Sequence, residues 1–125
     1  MPLGVSIGLA TRKHAVCFVG AGGSLFSIHA IWTAARYRIP AVFICFVNNE
    51  YRLLKELWCH TMGTTMETTH FVGMDFNDPD VDVRKIAEGL GARTHKIASL
   101  GMIGDALTEA LAYAGPSFLV IDREP

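Results

Sequence analysis

The chain has 125 residues, half of them hydrophobic, with 11 basic against 12 acidic side chains and a formal net charge of −1. That length suits one domain with a real core, the scattered charge offers no basic face for nucleic acid or an acidic membrane, and no apolar run reaches the roughly 20 residues that span a bilayer. The start, MPLGVSIGLATRKH, lacks the ordered charged, apolar and cleavage regions of a secretory signal, so a cytoplasmic protein is expected.

In chain order, the run HAVCFVG (14–20) is rich in β-branched and aromatic residues and reads as a strand. A glycine turn, GAGGS (20–24), follows it. Leu25, Ile28, Trp32 and Ala35 then share one face of a helix. AVFICFV (41–47) is almost continuously apolar, as a strand buried on both faces should be, and VNNEY (47–51) follows it. The stretch WCHTMGTTMETTHFVGM (58–74) has no period and is long for a loop, which marks a lid or a segment ordered against a partner. NDPD (77–80) is a turn, and Asp80 is the expected N-cap of a helix carrying Val83, Ile86, Ala87 and Leu90 on one face. ARTHKIA (92–98) and SFLVID (117–122) are two further strands, with Ile103, Leu107, Ala110 and Leu111 on a helix between them. Gly91 and Gly115 fall just past helix ends, where a left-handed residue is often needed. Strands alternating with helices imply an α/β fold with a mainly parallel sheet and right-handed crossovers. The three cysteines, Cys17, Cys45 and Cys59, form no C-x-x-C pair, and two of them lie in strand-like runs as small hydrophobes, against structural zinc or a disulfide.

In such a sheet ligands bind beyond the carboxyl ends of the strands. GAGGS and VNNEY both occupy such ends. Glycines let the backbone approach an anion, and the start of the following helix adds amide donors. Asparagine amides and peptide carbonyls are hard, neutral oxygen donors suited to magnesium or calcium, but neutral oxygens alone bind such an ion poorly, so a carboxylate ligand is expected close by, and GAGGS has none. A generic nucleotide-binding domain would place an acid at the end of the second strand, where this chain has Asn48 and Asn49. His60 and His70, in the unpatterned stretch, are candidates for proton transfer, without a metal-ligand spacing to Cys59 or Glu67.

The segment VGAGGSLFSIHAIWTAARYRIPAVFICFVNNEYRLLK resembles the diphosphate-binding, C-terminal domain of thiamine-diphosphate-dependent enzymes, whose signature is G-D-G ending, after a stretch of this length, in N-N. AIWTAARYRIP, VNNEYRLLK and GMDFNDPDVDVRKIAEGLG resemble the benzoylformate decarboxylase and acetolactate synthase-like group, and the likeness runs from MPLGVSIGLA to PSFLVID. The resemblance implies a three-layer sandwich, part of the thiamine-diphosphate-binding fold, with residues 1–125 as a single diphosphate-binding domain. It implies a fragment or subunit without the pyrimidine-binding domain. Thiamine diphosphate and Mg2+ are the implied cofactors, a 2-oxo acid the implied substrate, and a second copy or a pyrimidine-binding domain the implied partner. Gly20, Ala21, Gly22, Gly23, Ser24, Asn48, Glu50 and Tyr51 fall at cofactor-facing positions. Asn48 through its side chain and Glu50 through its carbonyl fall at metal-binding ones. Leu54 and Leu57 fall on the helix bordering the substrate, although leucines at this spacing are also ordinary core residues. Ala21 stands where the resembling family has its metal-binding aspartate. Two outcomes follow: a 2-oxo acid decarboxylase or carboligase component impaired at Ala21, or a non-catalytic module that binds no cofactor.

Overall fold

The most apolar runs of the chain become the two central strands of a four-stranded, wholly parallel sheet. The computed structural model describes residues 1–11 and 13–122. Its elements are α1 (Pro2–Thr11), β1 (Ala15–Gly20), α2 (Ala21–Leu25), α3 (Ala30–Arg36), β2 (Ala41–Val47), α4 (Arg52–Met62), α5 (Val83–Gly89), β3 (Arg93–Ile97), α6 (Ile103–Ala112) and β4 (Pro116–Asp122). The chain forms two compact units, one of Met1–Val47 with the residues from Asp82 onward and one of Asn48–Val81.

The first unit holds the sheet, in the order β1-β2-β4-β3. Register is set by Ala15 opposite Ala41, Ala41 opposite Pro116, and Arg93 opposite Ser117. Because side chains alternate along a strand, the central strands feed two cores. On one face Val42, Ile44, Leu119 and Ile97 pack against Ala106 and Ala110 of α6. Phe43 and Phe118 point the other way, their rings tilted at 6.4 Å, on the face where Gly4 of α1 approaches Ala15 and Cys17. Ser24 of α2 lies against Cys45 on that same face, and α5 packs beside α2. Helices therefore cover both faces, giving the expected α/β sandwich. Over β1 the α6 side stays open: Phe18 is 69% exposed, and its ring stacks on the exposed Phe46 at 6.4 Å.

The structure differs from several of these expectations. The helix after the glycine turn is two short helices joined by bonds from Ser27 N–H to Ser24 O and from Ala30 N–H to Ser27 O. Such i→i+3 winding advances the chain by about 120° per residue and shifts the buried stripe by one position. Ile28, Ile31 and Ala34 are buried, while Trp32 is 54% exposed with the Arg36 guanidinium over its ring at 5.7 Å. The N-cap of α5 is Asp82 rather than Asp80, its carboxylate accepting the Lys85 N–H at 3.0 Å. Gly91 is left-handed (φ +93), but Gly115 is not; an added Cβ there would meet the Tyr113 ring at 2.8 Å, so close packing is its constraint. α1 had no helical signature in a segment with glycines at 4 and 8. In the second unit, α4 extends into the stretch read as unpatterned, ending at Met62 with left-handed Gly63 as its cap.

Candidate functional site

β1 and β2 are neighbours in register, with Gly20 opposite Phe46, so both deliver the chain to the same edge of the sheet. Gly20 is the N-cap of α2 in ordinary extended conformation (φ −84, ψ 157), and a Cβ added there would meet nothing within 4 Å. A Cβ on Gly23 would make only an ordinary contact of 3.7 Å with Val19. Neither backbone strain nor packing requires glycine at these two positions. What their bareness leaves is room beside exposed backbone, which suits a polyanion approaching peptide amides.

Ala21 is the first residue of α2 and only 2% exposed. Gly22 is buried and Gly23 exposed. Ser24 is fully buried, and its hydroxyl donates back to the Ala21 carbonyl at 2.7 Å. Burial pushes the pKa of the neighbouring Cys45 thiol up to about 11, the Ser24 hydroxyl acting in the opposite direction. The Ser24 side chain is thus engaged inside the turn, and Cys45 is a neutral thiol at physiological pH.

In the second unit, Asn48 is half-buried and Asn49 adopts a left-handed conformation (φ +52) that asparagine tolerates well. Glu50 forms an antiparallel bridge with Asp75. Its bonds run from the Phe76 N–H to Asn49 O and from the Tyr51 N–H to Met74 O, each 2.8 Å, and so bracket Glu50 without using its carbonyl. Tyr51 meets Phe76 edge to face at 4.6 Å. The Glu50 carboxylate is engaged with Lys55 Nζ at 2.7 Å and Arg52 at 3.3 Å. The Lys55 hydrogen bond, ahead of the Arg52 contact, holds this carboxyl below the usual range despite some burial.

Leu54 and Leu57 lie on α4 and are exposed, with Leu53, Trp58 and Met62 beside them. His60, in the last turn of α4, and His70 are both exposed. Among the described residues no three His, Cys, Asp or Glu side chains are placed to hold a metal ion, and no described helix is long and apolar enough to cross a membrane. Lys55 and Asp75 were not visible to sequence reasoning: they meet across 20 positions that include an irregular stretch, and no local pattern encodes that pairing.

The donor set divides cleanly. The bare turn fits a diphosphate. Within the second unit, Asn48 and Glu50 have neutral oxygens of the kind a divalent cation takes, while the Glu50 carboxylate is already paired with cations; in the first unit, Ala21 carries only a methyl group.

Comparisons with known proteins bear on the chain as a whole. Residues 1–121 match the family model described as the thiamine pyrophosphate enzyme, C-terminal TPP binding domain. The chain is 32% identical over 125 residues to benzoylformate decarboxylase of Pseudomonas aeruginosa, covering 99% of this chain and 22% of that protein. It is 26% identical over 103 residues to pyruvate oxidase of Lactiplantibacillus plantarum, covering 82% of this chain and 16% of that one. It superposes with a TM-score of 0.84 and 28% identity on the thiamine diphosphate-dependent 4-hydroxybenzoylformate decarboxylase of Rhodococcus jostii RHA1, covering 99% of this chain and 22% of that one. The chain thus spans about a fifth of the length of these relatives. By sequence and by fold, it belongs to the family of C-terminal, thiamine-pyrophosphate-binding domains of thiamine pyrophosphate enzymes.

Proposed function

We propose that the Gly20–Ser24 turn binds the diphosphate of thiamine diphosphate through its backbone, and that Asn48 and the Glu50 carbonyl offer oxygen ligands to an accompanying Mg2+. The whole enzyme would be a benzoylformate decarboxylase-like lyase or a carboligase acting on a 2-oxo acid. The carrying observation is the turn itself, whose Gly20 and Gly23 are required by neither φ nor packing. Bound there, thiamine diphosphate supplies an electron sink for decarboxylation. The chain's part is to hold and orient it, while the group that activates the aminopyrimidine comes from a pyrimidine-binding domain on the same or a neighbouring polypeptide. The apolar surface of α4, with Leu54 and Leu57, supports contact with substrate or with such a partner.

Ala21 limits this function. A methyl in place of a carboxylate leaves the cation under-neutralised. By analogy with losing one partner of a buried charge pair, the loss is about 3–5 kcal/mol, or hundreds-fold and more in cofactor affinity. A non-catalytic module is the second reading, favoured by that same residue. Titration calorimetry of thiamine diphosphate with Mg2+ into the protein separates the two. Saturable heat at or below millimolar cofactor supports weakened binding, and its absence up to that concentration favours the module.

A further inference from the structure

Within the Asn48–Val81 unit, a buried lysine sits at the centre of an ion network that no part of the cofactor chemistry uses. Lys55, in the second turn of α4, has a side chain only 6% exposed. An ammonium so buried is costly unless anions and hydrogen bonds answer it. Two carboxylates do: Nζ donates to Glu50 Oε2 at 2.7 Å and to Asp75 Oδ1, with the Phe71 ring centroid at 5.5 Å. Arg52 adds a second cation to Glu50 and is itself held by Glu56 at 2.7 Å. The two carboxylates belong to residues directly opposite in the antiparallel bridge. Like charges so placed push a pair of strands apart. The ammonium between them converts that repulsion into a tie.

We infer that Lys55 is a positioning residue: by joining Glu50 to Asp75 it fixes the backbone of residues 48–51, including left-handed Asn49, and so sets where Asn48 and the Glu50 carbonyl present their oxygens. The functional half of this inference rests on reading those oxygens as cation donors; the structural half does not. A lysine that merely filled space with its stem would be replaced by methionine without local consequence. A lysine that ties two anions is replaced well only by another cation.

Amide hydrogen exchange on the full chain tests the structural half. In Lys55→Met the Tyr51 and Phe76 amides, the donors of the bridge, exchange on the order of tenfold faster, while Ile44 and Leu119 in the sheet keep their rates. Lys55→Arg restores slow exchange. Should Lys55→Met not fold, Asp75→Asn removes one arm of the tie and gives the same order of effects on a smaller scale. Unchanged Tyr51 and Phe76 exchange in the folded variant overturns the inference. The second readout is Mn2+ affinity by electron paramagnetic resonance, with thiamine diphosphate present, in an Ala21→Asp background. There Lys55→Met weakens Mn2+ binding on the order of tenfold, as loss of a partner behind a metal ligand does, and Lys55→Arg restores it. Faster exchange with unchanged Mn2+ affinity overturns the positioning role and leaves Lys55 a stabiliser of the bridge. If the Ala21→Asp protein takes up no Mn2+ at all while Lys55→Met still speeds exchange, the tie stands and the metal reading falls.

Discussion

Ala21 fits the fold without strain, and the proposed function makes it the residue that limits cofactor binding. It is buried at the start of a helix, where a small apolar side chain costs nothing. Its departure from the family pattern was legible because the residues around it, Gly20 and Gly22, and the asparagine pair after the next strand match that pattern closely. Caps were less legible. NDPDVD offers several acids within a few residues, and which one caps α5 depends on where the chain turns; Asp82 wins because its carboxylate reaches the Lys85 amide. Asp82→Ala is expected to cost about 1 kcal/mol in denaturant unfolding, and Asp82→Asn much less, since asparagine caps equally well. Gly91 combines φ +93 with an added-Cβ distance of 2.9 Å to Ala35 Cβ. Gly91→Ala should therefore destabilise by about 1–3 kcal/mol, whereas Gly63→Ala, also left-handed but with nothing near its Cβ position, should cost only the φ strain of about 1 kcal/mol.

At the scale of elements, helices with a repeating apolar face were found and helices without one were missed. α6 and α5 announce themselves by spacing. α1, with two glycines and apolar residues all round, does not, and the tight winding between α2 and α3 displaced a predicted face by one position. The segment at 48–51 and the strand-like stretch at 74–76 depend on each other through Lys55, which is why neither could be placed from local sequence. Their pairing carries a pH signature. The Lys55 hydrogen bond, ahead of Arg52, lowers the Glu50 pKa from 4.5 in the folded protein. A group so depressed contributes stability that is fully present above its unfolded value and is lost as pH falls through the lower folded one. Titration of the Glu50 carboxyl by carbon NMR should thus show a midpoint below 4.5, moving upward in Lys55→Met; a midpoint unmoved by that substitution would show that Lys55 does not hold it.

For the whole molecule, the α/β architecture was legible because strands covered on both faces have to be nearly continuously apolar, as AVFICFV is and as the FLVI of SFLVID is. The strand order β1-β2-β4-β3 and the division into two units were not, because they depend on contacts far apart in sequence. The sheet also predicts an asymmetry of mutational cost. Phe118→Ala, in the centre, should lose about 3–5 kcal/mol, while Phe18→Ala on the open face should lose well under about 1 kcal/mol in the same unfolding experiment. The bare glycine turn stands at the carboxyl edge of this sheet, where folds of this kind bind their ligands. The most direct measurement of the functional reading is calorimetric affinity for thiamine diphosphate in the Ala21→Asp variant and the wild-type chain, each with Mg2+ and with chelator. Binding by the variant hundreds-fold tighter or more, with the gain abolished by chelator, is the expected result. Equal affinities in the two proteins, or a gain indifferent to Mg2+, would contradict the placement of a metal-assisted diphosphate site at this turn.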